Sequence, residues 1–412
     1  MNKPSLKASN SPRVRVALVL LALAAMALAG GPLVRSVLVG FDLRKARIAL
    51  DAAEPEQALD WLMAAEKRQP DRGEIHYLLA VTHRRLAQYE PAEEHLRRLD
   101  AMKWSRKDVQ RQRVMIEFQN GDIARTEPVL IKMLQQGGSD EVAEEIYEAL
   151  AIGYAAEHRP QEAHLCLDHW LEWRPDSLRA RMLKALLYSR GMNAKKLQAE
   201  LREVLRIAPE RLNERLALAG SLLETTQSKE SLAECEICLR QAPDDPRVLL
   251  AIGCARYRLG QGAEAKGELE RAVQADLNPD QLARGFTMLG QIASAEGDGE
   301  SAVRYHEKAV KLSPLSPSAN YGLGTALTML GRDEEAKGYL KEWESLGKQS
   351  NRLAEITLEL TKEPNDAALR VEAANILLAQ GSQVDAANWM ISALYCDPTL
   401  RVAHELLADF CE

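Results

Sequence analysis

Residues recur along this chain with a period of 34, and this repeat constrains the fold more than any other feature of the sequence. Pro175, Pro209 and Pro243 lie 34 residues apart, and so do Ala302 and Ala336. A fixed period of 20–50 residues is typical of repeat architectures, in which each unit packs against its neighbours. We therefore number a 34-residue unit so that proline occupies position 32.

Small residues occupy positions 8 and 20 of most units. Position 8 holds Ala46, Ala80, Gln112, Ala151, Ala185, Ala219, Gly253, Gly290, Gly324 and Ala374. Position 20 holds Ala58, Ala92, Ala124, Ala163, Leu197, Ser231, Ala265, Ala302, Ala336 and Ala386. The distance between two packed helices depends on the side chains at their contact, so small residues allow a close approach. We expect positions 8 and 20 to face each other across a helical hairpin. Gly322 fits no position of the repeat.

Glycine and proline mark the ends of the predicted helices. Position 15, between the two helices of a unit, holds Gly260, Gly297, Gly331 and Gly381. A helix commonly ends on a residue in the left-handed conformation, which glycine adopts without a Cβ clash. Proline at position 32 cannot continue a helix, so it closes the unit. No alternating pattern typical of β-strands is found, and the chain is predicted to be all-α.

The pattern is most complete in residues 147–177, 286–314 and 321–340. On these residues the chain resembles the tetratricopeptide repeat family, and the resemblance extends over about residues 39–412. Residues 105–140 and 351–366 fit the pattern poorly, and residues 350–364 are expected to form one unpaired helix.

The resemblance implies a right-handed superhelical solenoid of helix-turn-helix units. About ten units are expected over residues 39–400, with residues 401–412 as a capping helix. Members of the family bind peptides or protein surfaces in a concave groove and rarely catalyse reactions.

The family's groove positions are 2, 5, 9, 12 and 13, and they supply the candidate partner-binding residues. These are Tyr77, Arg84, Arg113, Arg179, Arg190, Arg247, Tyr257, Arg258 and Tyr321. Arginine and tyrosine are among the side chains that most often anchor interfaces. The pattern favours an acidic or extended protein ligand, and ordinary solvated arginines are the alternative interpretation.

No catalytic, cofactor or metal site is predicted. Cys235 and Cys238 form a CxxC pair, but both fall in the middle of a predicted second helix, where small buried thiols are expected. His164 and His169 are five residues apart, whereas a helical metal pair needs a spacing of three or four. The chain is therefore predicted not to be an enzyme.

The first 35 residues differ from the remainder of the chain. They contain five basic residues and no acidic residue, so the formal net charge of −7 divides into +5 there and −12 afterwards. An acidic body argues against a nucleic-acid partner, because Lys and Arg supply phosphate affinity. Residues 1–15 form a basic tail, and residues 16–34 are nineteen residues without a charge. This length, about 28 Å as a helix, is close to the bilayer core.

We therefore expect residues 16–35 to be a single-pass anchor or a signal sequence. An anchor with its basic residues inside would hold the solenoid outside the cytoplasm, at a bacterial inner membrane. Cleavage after Ala29 would instead give a periplasmic or secreted protein.

Two functions remain open at this stage. One is a non-catalytic, membrane-tethered scaffold or assembly factor that binds a protein or peptide, and the other is a self-associating structural or regulatory adaptor.

Overall fold

The protein is all-α over the residues that the structure describes. The computed structural model describes residues 34–157, 159–190, 193–363, 365–397 and 399–409, which form twenty-one helices and no strand. Most of the expected anchor at 16–35 lies outside the described residues. None of the described helices is long and apolar enough to cross a bilayer.

Most helices are 13 or 14 residues long, and short turns join them. They are α1 (34–51), α2 (Pro55–Arg68), α3 (Gly73–Arg85), α4 (Tyr89–Ala101), α5 (Arg106–Gln119), α6 (Ile123–Gln135), α7 (Asp140–Ala156), α8 (Pro160–Trp173), α9 (Leu178–Arg190), α10 (Ala194–Ile207), α11 (Leu212–Glu224), α12 (Ser228–Gln241), α13 (Pro246–Arg258), α14 (Gly262–Ala272), α15 (Pro279–Ala295), α16 (Gly299–Leu312), α17 (Pro317–Met329), α18 (Asp333–Lys362), α19 (Ala367–Ala379), α20 (Gln383–Cys396) and α21 (Arg401–Asp409).

The chain divides into two compact units, Met1–Lys184 and Ala185–Glu412. In the first unit, α3 packs on α4, α5 on α6 and α7 on α8. In the second, the pairs are α11 with α12, α13 with α14, α15 with α16, α17 with α18 and α19 with α20. Within each unit, neighbouring hairpins also pack on one another, as α12 does on α13. At the end of the chain α21 packs on α20, where the capping helix was expected.

Positions 8 and 20 meet across the hairpins, as the repeat predicts. All ten residues assigned to position 8 are buried. In the α11–α12 hairpin, the Ser231 hydroxyl donates to the Ala219 carbonyl oxygen over 2.7 Å. In the next hairpin, a Cβ on Gly253 would lie 2.7 Å from Leu269 Cγ and 3.4 Å from the Ala265 carbonyl oxygen. The hairpins close tightly because these positions are small.

The turn at position 15 is left-handed, which confirms the reason given for its glycines. The φ angles are +80° at Gly260, +80° at Gly297, +71° at Gly331 and +74° at Gly381. The same conformation occurs at Ala53, Ala87 and Thr226, where a side chain is present. The turn geometry therefore follows the repeat even where the sequence lacks glycine.

The repeat numbering is wrong in the α5–α6 hairpin. Ala124, assigned to position 20, is exposed, whereas Thr126 is buried. Gly121 has a φ of +96° and lies seven residues after Val114 and five before Thr126, as position 15 does between positions 8 and 20. Val114 and Thr126 therefore occupy positions 8 and 20, and the numbering shifts by two.

The segment 350–364 is not a separate helix. It is the second half of the 30-residue helix α18, which begins at Asp333 and packs on both α17 and α19. Leu346 and Ile356 are buried along it, and Arg352 forms an ion pair with Glu372 of α19 over 2.6 Å. The expectation of an unpaired helix there is wrong, because no residue between positions 333 and 362 ends the helix.

Candidate functional site

Glutamates of α7 pair with arginines from other helices of the first unit. We call this set the arginine–glutamate network: Arg84, Arg85, Arg111, Arg174, Arg179, Glu144, Glu145 and Glu148. Glu144 accepts from Arg174 over 2.8 Å and also binds Arg179. Glu148 lies 2.9 Å from Arg85. Because each arginine has a carboxylate nearby, its charge is compensated inside the unit.

Arg84 illustrates how deep this network lies. Arg84 is 1% exposed, and its guanidinium donates to Gln112 over 3.0 Å and to Gln119 over 3.2 Å. Burial lowers the pKa of Arg84, and the carboxylate of Glu148 opposes that effect. The side chain therefore stabilises the packing of α3 on α5 rather than forming an open surface.

The other groove candidates of the first unit also have partners within the chain. The Tyr77 hydroxyl accepts from Arg111 over 2.9 Å and from Gln112 over 3.2 Å. Arg113 forms ion pairs with Glu93 and Asp100.

Arg179 is similarly engaged in the first unit. Its side chain is 12% exposed, and its guanidinium lies over the Trp170 ring, 5.5 Å from the centroid. Together with its ion pair to Glu144, this contact leaves little of the side chain for a partner.

A cleft of about 380 Å³ lies in the second unit between α11, α13 and α15. Its lining includes Asn213, Leu216, Ala217, Arg247, Ala251 and Arg284. Asn213, Arg247 and Arg284 occupy position 2 of three successive repeats, a position that the family's groove includes. The repeat thus places three polar side chains in a row along a cleft whose lining also includes apolar residues.

Arg247 is held in place at one end of this cleft. It forms an ion pair with Asp245 over 2.6 Å and donates to the Asn213 side-chain oxygen over 2.8 Å. The exposed fraction of its side chain is 43%, so the guanidinium remains accessible.

Arg258 and Arg284 are exposed, and neither forms a salt bridge within the described part of the chain. Both lie near the buried thiol of Cys254. Burial raises the pKa of this thiol, and the two positive charges oppose the increase. Arg247, Cys254 and Arg258 lie on one face of α13, because their spacings of seven and four residues match the helical repeat. We call Arg247, Arg258 and Arg284 the basic stripe.

The remaining candidates lie in different surroundings. Tyr257 is half-buried and packs against the cluster that contains Leu250 and Leu269. Tyr321 is 47% exposed, and its ring centroid lies 4.8 Å from that of Trp343. The side chain of Arg190 lies outside the described residues. Sequence reasoning missed Arg284, although its position 2 was a sufficient signal.

Residues 287–351 match the family model of the tetratricopeptide repeat. These residues are tetratricopeptide repeats. This confirms the family resemblance seen in the repeat pattern. A search of curated proteins finds no match.

Three solved structures are similar to this chain. PilW, a type IV pilus biogenesis factor, is 20% identical over 50% of this chain and 94% of its own, with a TM-score of 0.42. PilF of Pseudomonas aeruginosa is 21% identical over 57% of this chain and 99% of its own, with a TM-score of 0.37. A tetratricopeptide repeat protein from Parabacteroides merdae is 15% identical over 64% of this chain and 97% of its own, with a TM-score of 0.40.

The CxxC pair is part of the core of the second unit. Cys235 and Cys238 are fully buried on α12. Burial raises the pKa of Cys235 to about 12 and that of Cys238 to about 11. A thiol must ionise to act as a nucleophile, so these two are unreactive at neutral pH. The expectation of small buried thiols is confirmed.

Proposed function

We propose that this protein is a non-catalytic interaction scaffold that binds an acidic, extended segment of a partner protein along the basic stripe. One observation carries the proposal: Arg258 and Arg284 are exposed without a salt bridge in the described part of the chain, whereas the arginines of the arginine–glutamate network have glutamate partners. Arginine therefore serves a different purpose at Arg258 and Arg284 than in the arginine–glutamate network.

The chemistry of arginine favours a carboxylate ligand. A guanidinium donates two parallel hydrogen bonds to a carboxylate, and such charge-assisted pairs are stronger than neutral ones. The apolar lining residues Leu216, Ala217 and Ala251 would contact an aliphatic or aromatic side chain of the same segment. A cleft of this size lies within the range of known ligand sites, about 300–1,000 Å³.

Selection of random linear peptides on the purified full chain tests this proposal. We expect the selected peptides to be enriched in Asp and Glu. Arg258→Glu and Arg284→Glu should each weaken their binding by at least about tenfold in fluorescence anisotropy, as loss of an interface anchor does. Arg304→Glu is the matched control, because Arg304 is an exposed arginine of the same unit on α16. Selected peptides without acidic residues, or equal affinity for all three variants, would contradict the proposal.

We further infer that residues 16–35 anchor the chain in a membrane, with the repeats outside the cytoplasm. The uncharged run and the basic residues before it support this inference. The alternative is a cleaved signal and a periplasmic or secreted adaptor that self-associates. Alkaline phosphatase fused after Glu412 should be active, since that enzyme needs disulfides to fold. An inactive fusion would reverse the orientation, and a soluble chain starting at Gly30 would replace the anchor with a cleaved signal.

A further inference from the structure

Within the described residues, three side chains of the first unit bring together donor atoms of the kinds that bind metal ions. They are Glu66 on α2, His76 on α3 and His95 on α4. His76 Nδ1 lies 3.0 Å from His95 Nδ1 and 3.6 Å from Glu66 Oε1. His95 Nδ1 lies 4.0 Å from the same oxygen. His76 is 1% exposed and His95 is 9% exposed, so both imidazoles belong to the interior.

The second nitrogen of His76 fixes the proton on that ring. His76 Nε2 lies 2.6 Å from the carbonyl oxygen of Pro70. A carbonyl can only accept, so Nε2 carries the proton and Nδ1 of the neutral ring presents a lone pair. An ionised Glu66 also presents only lone pairs. The two acceptor atoms therefore face each other with no hydrogen between them.

A cation would be shared by all three groups. Without a cation, a proton donated by His95 Nδ1 would satisfy His76, and Glu66 Oε1 would keep the hydrogen bond that Arg98 donates over 3.0 Å. Metal-binding histidines commonly donate their other N–H to a backbone carbonyl, which orients the ring. The contact between His76 and Pro70 has this form.

The spacing of the three donor atoms fits a tetrahedral ion. Zinc binds imidazole nitrogen and carboxylate oxygen at about 2.0–2.2 Å, which separates neighbouring ligand atoms by about 3.3 Å. The separations of 3.0, 3.6 and 4.0 Å bracket that value. Side-chain shifts of about 0.5 Å would bring all three atoms to a common centre.

We propose that Glu66, His76 and His95 bind one divalent cation of the zinc class. The ion would join α2, α3 and α4, which belong to two successive hairpins, and would stabilise the first unit. A water molecule would complete the coordination, because the Glu66 side chain is 25% exposed.

Two neighbouring groups bear on this site. Arg98 lies 3.0 Å from Glu66 Oε1, but it also lies 2.6 Å from Glu94 and can keep that partner when a cation binds Glu66. His83 stacks on His95 with ring centroids 5.5 Å apart, and its Nδ1 already lies 2.7 Å from Gln88 Oε1. We therefore assign neither residue as a ligand.

Zinc titration of the chelator-treated full chain tests the proposal, with a chromophoric chelator as competitor. We expect one tight equivalent, and at least about tenfold weaker binding by Glu66→Gln and by His95→Gln. Zinc should raise the thermal midpoint of the native chain but not that of Glu66→Gln. His169→Gln is the matched control, because His169 forms an exposed pair with Glu172 over 3.4 Å and should leave the tight site unchanged.

The choice of variants and probe keeps the test decisive. Glu66 is partly exposed, so Glu66→Gln answers the question even if His95→Gln fails to fold. Cobalt in place of zinc should give a spectrum without sulfur charge-transfer bands, which excludes binding by the cysteines. No saturable zinc binding, unchanged affinity in Glu66→Gln, or thiolate bands with cobalt would each overturn the proposal.

Discussion

The imidazole of His306 lies against Gly322 so closely that a Cβ at position 322 would overlap its ring. On the other side, a Cβ at Gly290 would lie 2.6 Å from His306 Nε2. His306 on α16 is thus enclosed by glycines of α15 and α17. Gly322 fits no repeat position, and its role is to leave room for this side chain.

Replacing Gly322 with alanine should therefore destabilise the second unit. Overpacking of a filled interior costs about 1–3 kcal/mol. We expect Gly322→Ala to lower the thermal midpoint of the full chain, and a second change, His306→Ala, to recover part of the loss. Gly338→Ala is the control, because a Cβ at Gly338 meets no atom and alanine favours a helix. Equal midpoints for the two alanine variants would contradict this packing.

The stability of the second unit should also depend on pH through His306. Burial lowers the pKa of His306 to about 4, compared with about 6.5 in an unfolded chain. Between these values the unfolded chain binds more protons, so this stabilisation is present above pH 6.5 and is lost as the pH falls to 4. The loss amounts to about 3 kcal/mol.

Comparison with a variant that cannot titrate at this position isolates this effect. As the pH falls from about 7 to about 4, the unfolding free energy of the native chain should decrease relative to that of His306→Leu. Parallel pH profiles for the two proteins would show that His306 is not responsible.

Tryptophan substitutions at two alanines test which residue occupies position 20 in the α5–α6 hairpin. Ala302 is fully buried in a cluster with Ala293 and Leu323, so Ala302→Trp should cost more than about 1 kcal/mol. Ala124 is exposed, so Ala124→Trp should leave the thermal midpoint nearly unchanged. A similar loss for both variants would restore the original numbering of the α5–α6 hairpin.

Thr226 holds a left-handed turn at the cost of backbone strain. Its φ is +64°, where an L-residue with a branched Cβ is disfavoured by about 1–2 kcal/mol. Thr226→Gly should therefore raise the thermal midpoint, although glycine usually lowers it. Thr357→Gly, at an exposed site inside α18, should show that usual decrease. A decrease in both variants would mean that Thr226 is not strained.

The sequence was enough to predict the helical hairpins, because small residues, turn glycines and prolines each report a local requirement that repeats. It was not enough where the requirement is not local. His306 and Gly322 meet across two helices, and Glu66, His76 and His95 come from three, so no spacing along one helix reveals them. Both Arg84 and Arg258 fall at groove positions in the sequence. Only the structure shows that Arg84 pairs with Glu148 of α7, whereas Arg258 has no salt bridge in the described part of the chain.

A charge-swap binding measurement tests the proposed function most directly. A selected acidic peptide should lose affinity for Arg284→Glu, and the same peptide with lysine replacing the contacting glutamate should regain affinity for that variant while losing it for the native chain. Independent effects of the two changes would contradict a direct contact between the basic stripe and an acidic ligand.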